Sequence, residues 1–166
     1  MLRRMPVLLG LLFLISLSAR AQDRIELFGG YSFQRFGATP ARNLNGWELA
    51  ADYKLVPLVS LTADLDAQYG LPSSLDSRTL HLMVGPKITL PTFGRYSPYV
   101  HALGGFGHLW AGQAQMSVAV AVGGGIDLPI APLFSWRIIQ ADYLMTRFPH
   151  APQNNIRLST GLVFHF

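Results

Sequence analysis

The side chains of this chain that could do chemistry are Glu26, Glu48, Asp52, Lys54, Asp64, Asp66, His81, Lys87, Asp127, Asp142 and Arg157. Most sit in stretches where apolar residues take every second position, as in Trp47-Glu48-Leu49-Ala50-Ala51-Asp52-Tyr53-Lys54-Leu55. A period of two sends them to one side of a sheet. Brought together there, they could satisfy one another as an ion-pair and hydrogen-bond network, since an unpaired buried charge is prohibitive. They could instead line an ion path in which Lys87 or Arg157 exchanges carboxylate partners. Acids outnumber bases in the set, so a conducting path would favour cations weakly.

Other chemistries find less support. An acyl-transfer site would need a nucleophile beside a base. His108, His150 and Ser117 are the candidates near strand ends, and none lies in a nucleophile setting. Ser159 and His165 share a parity but stand about 20 Å apart on a strand. Gly123-Gly124-Gly125 lacks the Lys and hydroxyl of a phosphate loop. His81, His101 and His108 do not share one parity, and no carboxylate spacing completes a metal site. The expectation is therefore no enzyme, no cofactor and no metal.

The elements that must position the charged set begin after a leader. Met1 to Ala21 reads as a secretory signal peptide: Arg3 and Arg4, an apolar run from Val7 to Leu17, then Ala19-Arg20-Ala21 as a cleavage pattern. The mature domain is then 22–166. The leader carries three of the 13 basic residues, so its removal takes the net charge from +4 to +1 and withdraws support for a nucleic-acid partner. The absence of cysteine excludes disulfides and thiolate chemistry. Charged residues are 13% of the chain, about half the usual share for a soluble domain.

Alternation predicts eight strands. They run over Ile25–Gln34, Trp47–Leu55, Val59–Tyr69, Thr79–Ile88, about Tyr96–Trp110, Met116–Leu128, a seventh holding Gln140 and Asp142, and Arg157–Phe166. Loops are expected near Arg35–Asn43, Leu71–Ser77 and Thr146–Asn155, with short turns at Val56-Pro57, Pro91–Gly94 and Pro129–Pro132. In the fifth strand Val100, Ala102, Phe106 and Trp110 are placed opposite Tyr99, His101 and Gly105. In the seventh, Arg137 falls out of phase with Gln140 and Asp142. Either a bulge intervenes or Arg137 faces outward at a rim.

Alternation alone does not say which face is inside. A soluble lipocalin-like barrel would bury the apolar parity and a membrane barrel would expose it. The polar parity is rich in Gly30, Ala50, Gly85, Gly105, Ala119, Ala121, Gly123, Gly125 and Gly161, which suits a crowded interior. Charges avoid the middle of the apolar parity, where a cation facing lipid costs about 2–4 kcal/mol. Tyr31, Phe33, Trp47, Tyr53, Tyr69, Phe164 and Phe166 gather toward strand ends on that parity, like an interfacial girdle. The final strand, with Leu158, Leu162, Phe164 and Phe166 on one face, resembles the signal read by barrel-insertion machinery.

On these residues, with Pro98-Tyr99-Val100 entering a Gly-rich strand and Gln153-Asn154-Asn155-Ile156-Arg157 leading into the last, the region 22–166 resembles the small eight-stranded outer-membrane β-barrel family, OmpA-like and OmpX-like. The resemblance implies an all-β, antiparallel, up-and-down transmembrane barrel in a Gram-negative outer membrane. The charged inner set adds the expectation of a structural or interaction role with a largely plugged lumen; the alternatives are a small ion-conducting, porin-like barrel or a lipid A-modifying enzyme. Outer-membrane lipid or lipopolysaccharide, contacted by Arg35, Arg42 or Arg147, and the insertion machinery are the expected partners.

Overall fold

A computed structural model of the chain describes residues 24–37, 42–70, 78–111, 113–148 and 151–166. The expected signal segment, His150 and the whole of the expected loop Leu71–Ser77 lie outside these. The strands are β1 (Ile25–Phe36), β2 (Arg42–Val56), β3 (Val59–Gly70), β4 (Arg78–Thr89), β5 (Ser97–Ala111), β6 (Gln113–Ala131), β7 (Phe134–Phe148) and β8 (Ala151–His165). All pair antiparallel with their sequence neighbours, and β1 pairs with β8, so the sheet is a closed barrel.

Closure explains why the pattern is so regular: with no edge, every strand has a neighbour on each side. The strands are strongly staggered. Pairing runs from Lys54, whose amide donates to the Arg24 carbonyl, through Ser60, Lys87, His101, Gly123, Asp142 and Arg157, and comes back to β1 at Gln34. Such stagger tilts the strands and leaves a lumen only wide enough for side chains. Glycine lets the wall coil that tightly. A Cβ on Gly105 would lie 2.0 Å from the Leu82 carbonyl oxygen, which is backbone and cannot yield.

Strand runs into both ends of two expected loops. Arg35 pairs with Asn43 and Phe36 with Arg42, while Arg147 pairs with Pro152 and Phe148 with Ala151. Polar residues there signalled a loop, yet a ladder accepts them once its neighbours are in register. The first turn is centred one residue later than expected, on Pro57-Leu58, with Leu58 at φ 74°. β6 runs through Pro129 to Ala131, which moves the third turn to Pro132-Leu133.

The two faces separate cleanly. Leu49, Leu61, Leu82, Val84, Phe106, Val118 and Val122 are exposed on the outside, whereas Glu48, Asp66, Gln140 and Arg157 are sealed inside. Val100, Ala102, Phe106 and Trp110 point outward opposite Tyr99 and His101, which gives β5 the expected phase. The question in β7 resolves as a bulge. Ile126 pairs with Ile139 and the next pair is Asp127 with Arg137, so Arg137 turns inward and is 2% exposed. The lumen is also less uniformly polar than its parity suggested: Met83, Leu103, Ala119, Ala121 and Leu144 form an apolar wall across β4–β7.

Candidate functional site

The charged side chains meet in two tiers inside the barrel. The upper tier is built around Arg157 of β8, which is fully buried. Its Nε and Nη2 donate to Asp142 Oδ2 at 2.9 and 2.7 Å. Its Nη1 donates to Asp64 Oδ1 at 2.9 Å and Asp66 Oδ1 at 2.7 Å, and Glu48 Oε2 lies 3.6 Å from Nε. One planar guanidinium thereby ties β8 to β2, β3 and β7, using the fork geometry a lysine lacks. Two imidazoles flank it: His81 Nδ1 is 3.0 Å from Asp66, and His101 Nε2 is 2.7 Å from Asp142.

The lower tier holds two further cations. Lys87 Nζ donates to Asp52 at 2.6 Å and Glu26 at 3.2 Å. Arg137 donates from Nε and Nη2 to the two oxygens of Asp127 at 2.9 and 3.1 Å. Its guanidinium carbon lies 4.3 Å from the Phe28 ring centroid and 4.6 Å from that of Tyr99, so ring faces cover what carboxylates do not. Gln140 joins the tiers: its carbonyl accepts from Arg137 and Tyr99, and its amide donates to Glu48 and Asp142.

Of the residues singled out from sequence, Glu48, Asp52, Asp64, Asp66, His81, Lys87, Asp127, Asp142 and Arg157 lie in these tiers, and Glu26 joins from the half-buried lower end. Lys54 is half-buried at the lower mouth and lines a cavity there. Arg137, His101, Gln140 and Tyr99 belong to the same network but were not in the sequence-derived set. His101 and Tyr99 had the right parity, while Arg137 was hidden by the bulge. Gln34 presents both amide atoms to the interior without a protein partner.

The lower cavity, about 400 Å³, is bordered by Glu26, Lys54, Lys87, Asp127, Ser135 and His165. Three of these fall in relay order, with Ser135 Oγ 2.8 Å from His165 Nε2 and His165 Nδ1 3.5 Å from Glu26. Glu26 is also held by Lys87, and Ser135 is only 3% exposed, which keeps its hydroxyl from an incoming acyl group. Among the described residues no group of three or more His, Asp or Glu is arranged to hold a metal ion.

Outside, Tyr31, Trp47, Tyr53, Tyr69, Phe164 and Phe166 are exposed and Phe33 is half-exposed. Tyr53, Phe164 and Phe166 lie at the end where both chain termini of the barrel meet, while Phe33, Trp47 and Tyr69 lie toward the other. Leu158 and Leu162 share the outer face of β8 with Phe164. Arg35 and Arg147 are exposed near the far rim; Arg42 is described only by its backbone pairing.

No family model matches the chain, and no curated protein matches it. Solved structures do. Neisserial surface protein A superposes with a TM-score of 0.72 at 12% identity, over 86% of this chain and 97% of that one. Ail, the attachment invasion locus protein of Yersinia pestis, gives 0.60 at 20% identity, over 86% and 99%. The N-terminal β-barrel domain of Pseudomonas aeruginosa OprF gives 0.52 at 18%, over 87% and 98%. At such identities the likeness concerns the fold: this chain has the fold of the small eight-stranded outer-membrane barrels.

Proposed function

We propose that this chain spans the outer membrane as a structural or interaction scaffold whose lumen is plugged, and that its working surface is its outside. The observation that carries this reading is the Arg157 cluster, fully buried across the lumen, hydrogen-bonded to β3 and β7 and ion-paired with Glu48 of β2. Ions cannot pass without breaking several charge-assisted bonds at once. The apolar outer band supports membrane residence. Residues 1–21 would direct export of the domain 22–166, and Leu158, Leu162, Phe164 and Phe166 would present β8 to the insertion machinery. Arg35, Arg42 and Arg147 would meet the phosphates of lipopolysaccharide.

A small conducting barrel is the competing reading, favoured by the open lower cavity and the surplus of carboxylates. Planar-bilayer recording of the refolded mature protein separates the two. The plugged reading expects no stable conductance in the wild type. A steady, cation-selective current would replace it with the porin-like one.

A further inference from the structure

The polar atoms of the lumen that find no protein partner are gathered in one place. Among the described residues they are Gln34 Nε2 and Oε1, Gln68 Oε1 and Thr79 Oγ1. Gln34 and Gln68 are fully buried and Thr79 is 2% exposed. Gln140, deeper in the barrel, is the opposite case: its carbonyl accepts two hydrogen bonds and its amide donates two.

Register explains the gathering. Thr79 of β4 pairs directly with Gln68 of β3. Gln68 reaches across Gly46 of β2 to Ser32 of β1, to whose hydroxyl its Nε2 donates at 2.8 Å. Gln34 follows Ser32 by two residues and so shares its inward face. Gln68 and Thr79 each lie one inward position above Asp66 and His81, which puts the patch on top of the Arg157 tier. The protein cannot fill this patch from β2. A Cβ on Gly46 would lie 1.8 Å from the Ala67 carbonyl oxygen, so no side chain can stand between Ser32 and Gln68. Nor does the neighbouring charge serve it. Gln34 pairs with Arg157 in the ladder, yet that guanidinium donates to Asp64, Asp66 and Asp142.

Buried amides and hydroxyls are costly to leave unmet, and native interiors meet them with water where side chains do not. We propose that Gln34, Gln68 and Thr79 form a binding site for water, holding about two molecules at roughly three hydrogen bonds each. The set is uncharged and offers donors and acceptors together, which suits water rather than an ion. The upper half of the lumen is then hydrated down to the Arg157 tier. Through Gln68, whose Nε2 lies 3.5 Å from Asp66 Oδ2, the water extends the charged network toward the upper end. The site rests on closure of the barrel and goes beyond the scaffold reading, since membrane residence does not enter it.

Gln140 provides the control for a test within the same molecule. The refolded mature protein, labelled with ¹⁵N-glutamine in detergent micelles, is recorded for water-to-side-chain cross-peaks in NOE and ROE spectra. Q34M and Q68M each remove one pair of amide signals and so assign them, while the wild-type spectrum carries the result. Gln34 should show water cross-peaks of opposite sign in the two spectra, the mark of bound rather than exchanging water, and Gln140 should show none. No water peak at Gln34, or peaks of the same sign, overturns the site. Peaks as strong at Gln140 overturn its localisation, because the lumen would be wet throughout. Loss of the Gln34 peaks when sodium chloride is replaced by choline chloride overturns the assignment to water in favour of a hydrated cation. Q34M, close in volume but without polar atoms, should also lower the urea midpoint by about 0.5 M, since bound water loses a partner. A raised midpoint, the result of removing two unmet atoms, overturns the proposal.

Discussion

Replacing Arg157 by leucine tests the plug most directly. In R157L the three aspartates lose a guanidinium that donates five hydrogen bonds of 2.7–3.2 Å. Glu48 loses a cation at 3.6 Å. Breaking a buried pair from one side costs about 3–5 kcal/mol, and four carboxylates converge on this one cation, so the upper end applies. With a urea slope of about 2 kcal/mol per M, the unfolding midpoint in detergent should fall by about 2.5 M. Tryptophan emission during a urea titration reads it, and the gel mobility shift between boiled and unboiled samples reports the closed form. R157K should fall between, since an ammonium restores charge without the fork. R157L with D64N and D142N should recover part of the loss. A loss below about 1 kcal/mol in R157L would refute the reasoning, because the carboxylates would then not depend on this cation.

Other expectations are equally specific. Val84 faces outward in mid-strand between Ala63 and Gly104, so V84R should cost about 2–4 kcal/mol in a bilayer and deplete the folded form after insertion into vesicles; a soluble barrel would tolerate it. G105A drives a methyl into the Leu82 carbonyl and should yield no heat-modifiable band. Ser135 should stay unlabelled by a fluorophosphonate probe as judged by intact-protein mass spectrometry; labelling lost in S135A would turn the Ser135–His165–Glu26 relay into an active site.

What the sequence made legible follows from the strictness of period two. Strand order, the inward set from Glu48 to Arg157 and the outward aromatics come straight from alternation, because each neighbouring position reverses the face. Arg137 shows the limit. One extra residue at Ile138–Ile139 flips parity, and nothing in those residue types announces it; only the conflict between Arg137 and Gln140 hinted at it. The apolar wall of Met83, Leu103 and Leu144 was hidden for a different reason. Parity assigns a side of the sheet but not a direction around the barrel, so it cannot tell which inner residues meet across the lumen. The loops were overdrawn because Asn and Pro mark turns locally, while pairing such as Arg35 with Asn43 depends on the neighbouring strand.

The position of Arg157 on β8 also bears on the order of assembly. β8 must pair with β1, whose residues stand far away along the chain, as Gly30 opposite Gly161 illustrates. Such a long-range joint forms late, after hairpins between successive strands. Until then Glu48, Asp64, Asp66 and Asp142 have no guanidinium among them and stay in water, which closure would otherwise strip from them. The seam and the neutralising charge arrive on one strand, so a sheet lacking β8 has no comfortable resting state. Arg157 works as a latch in time as well as in space: the barrel shuts and becomes electrically quiet in the same event.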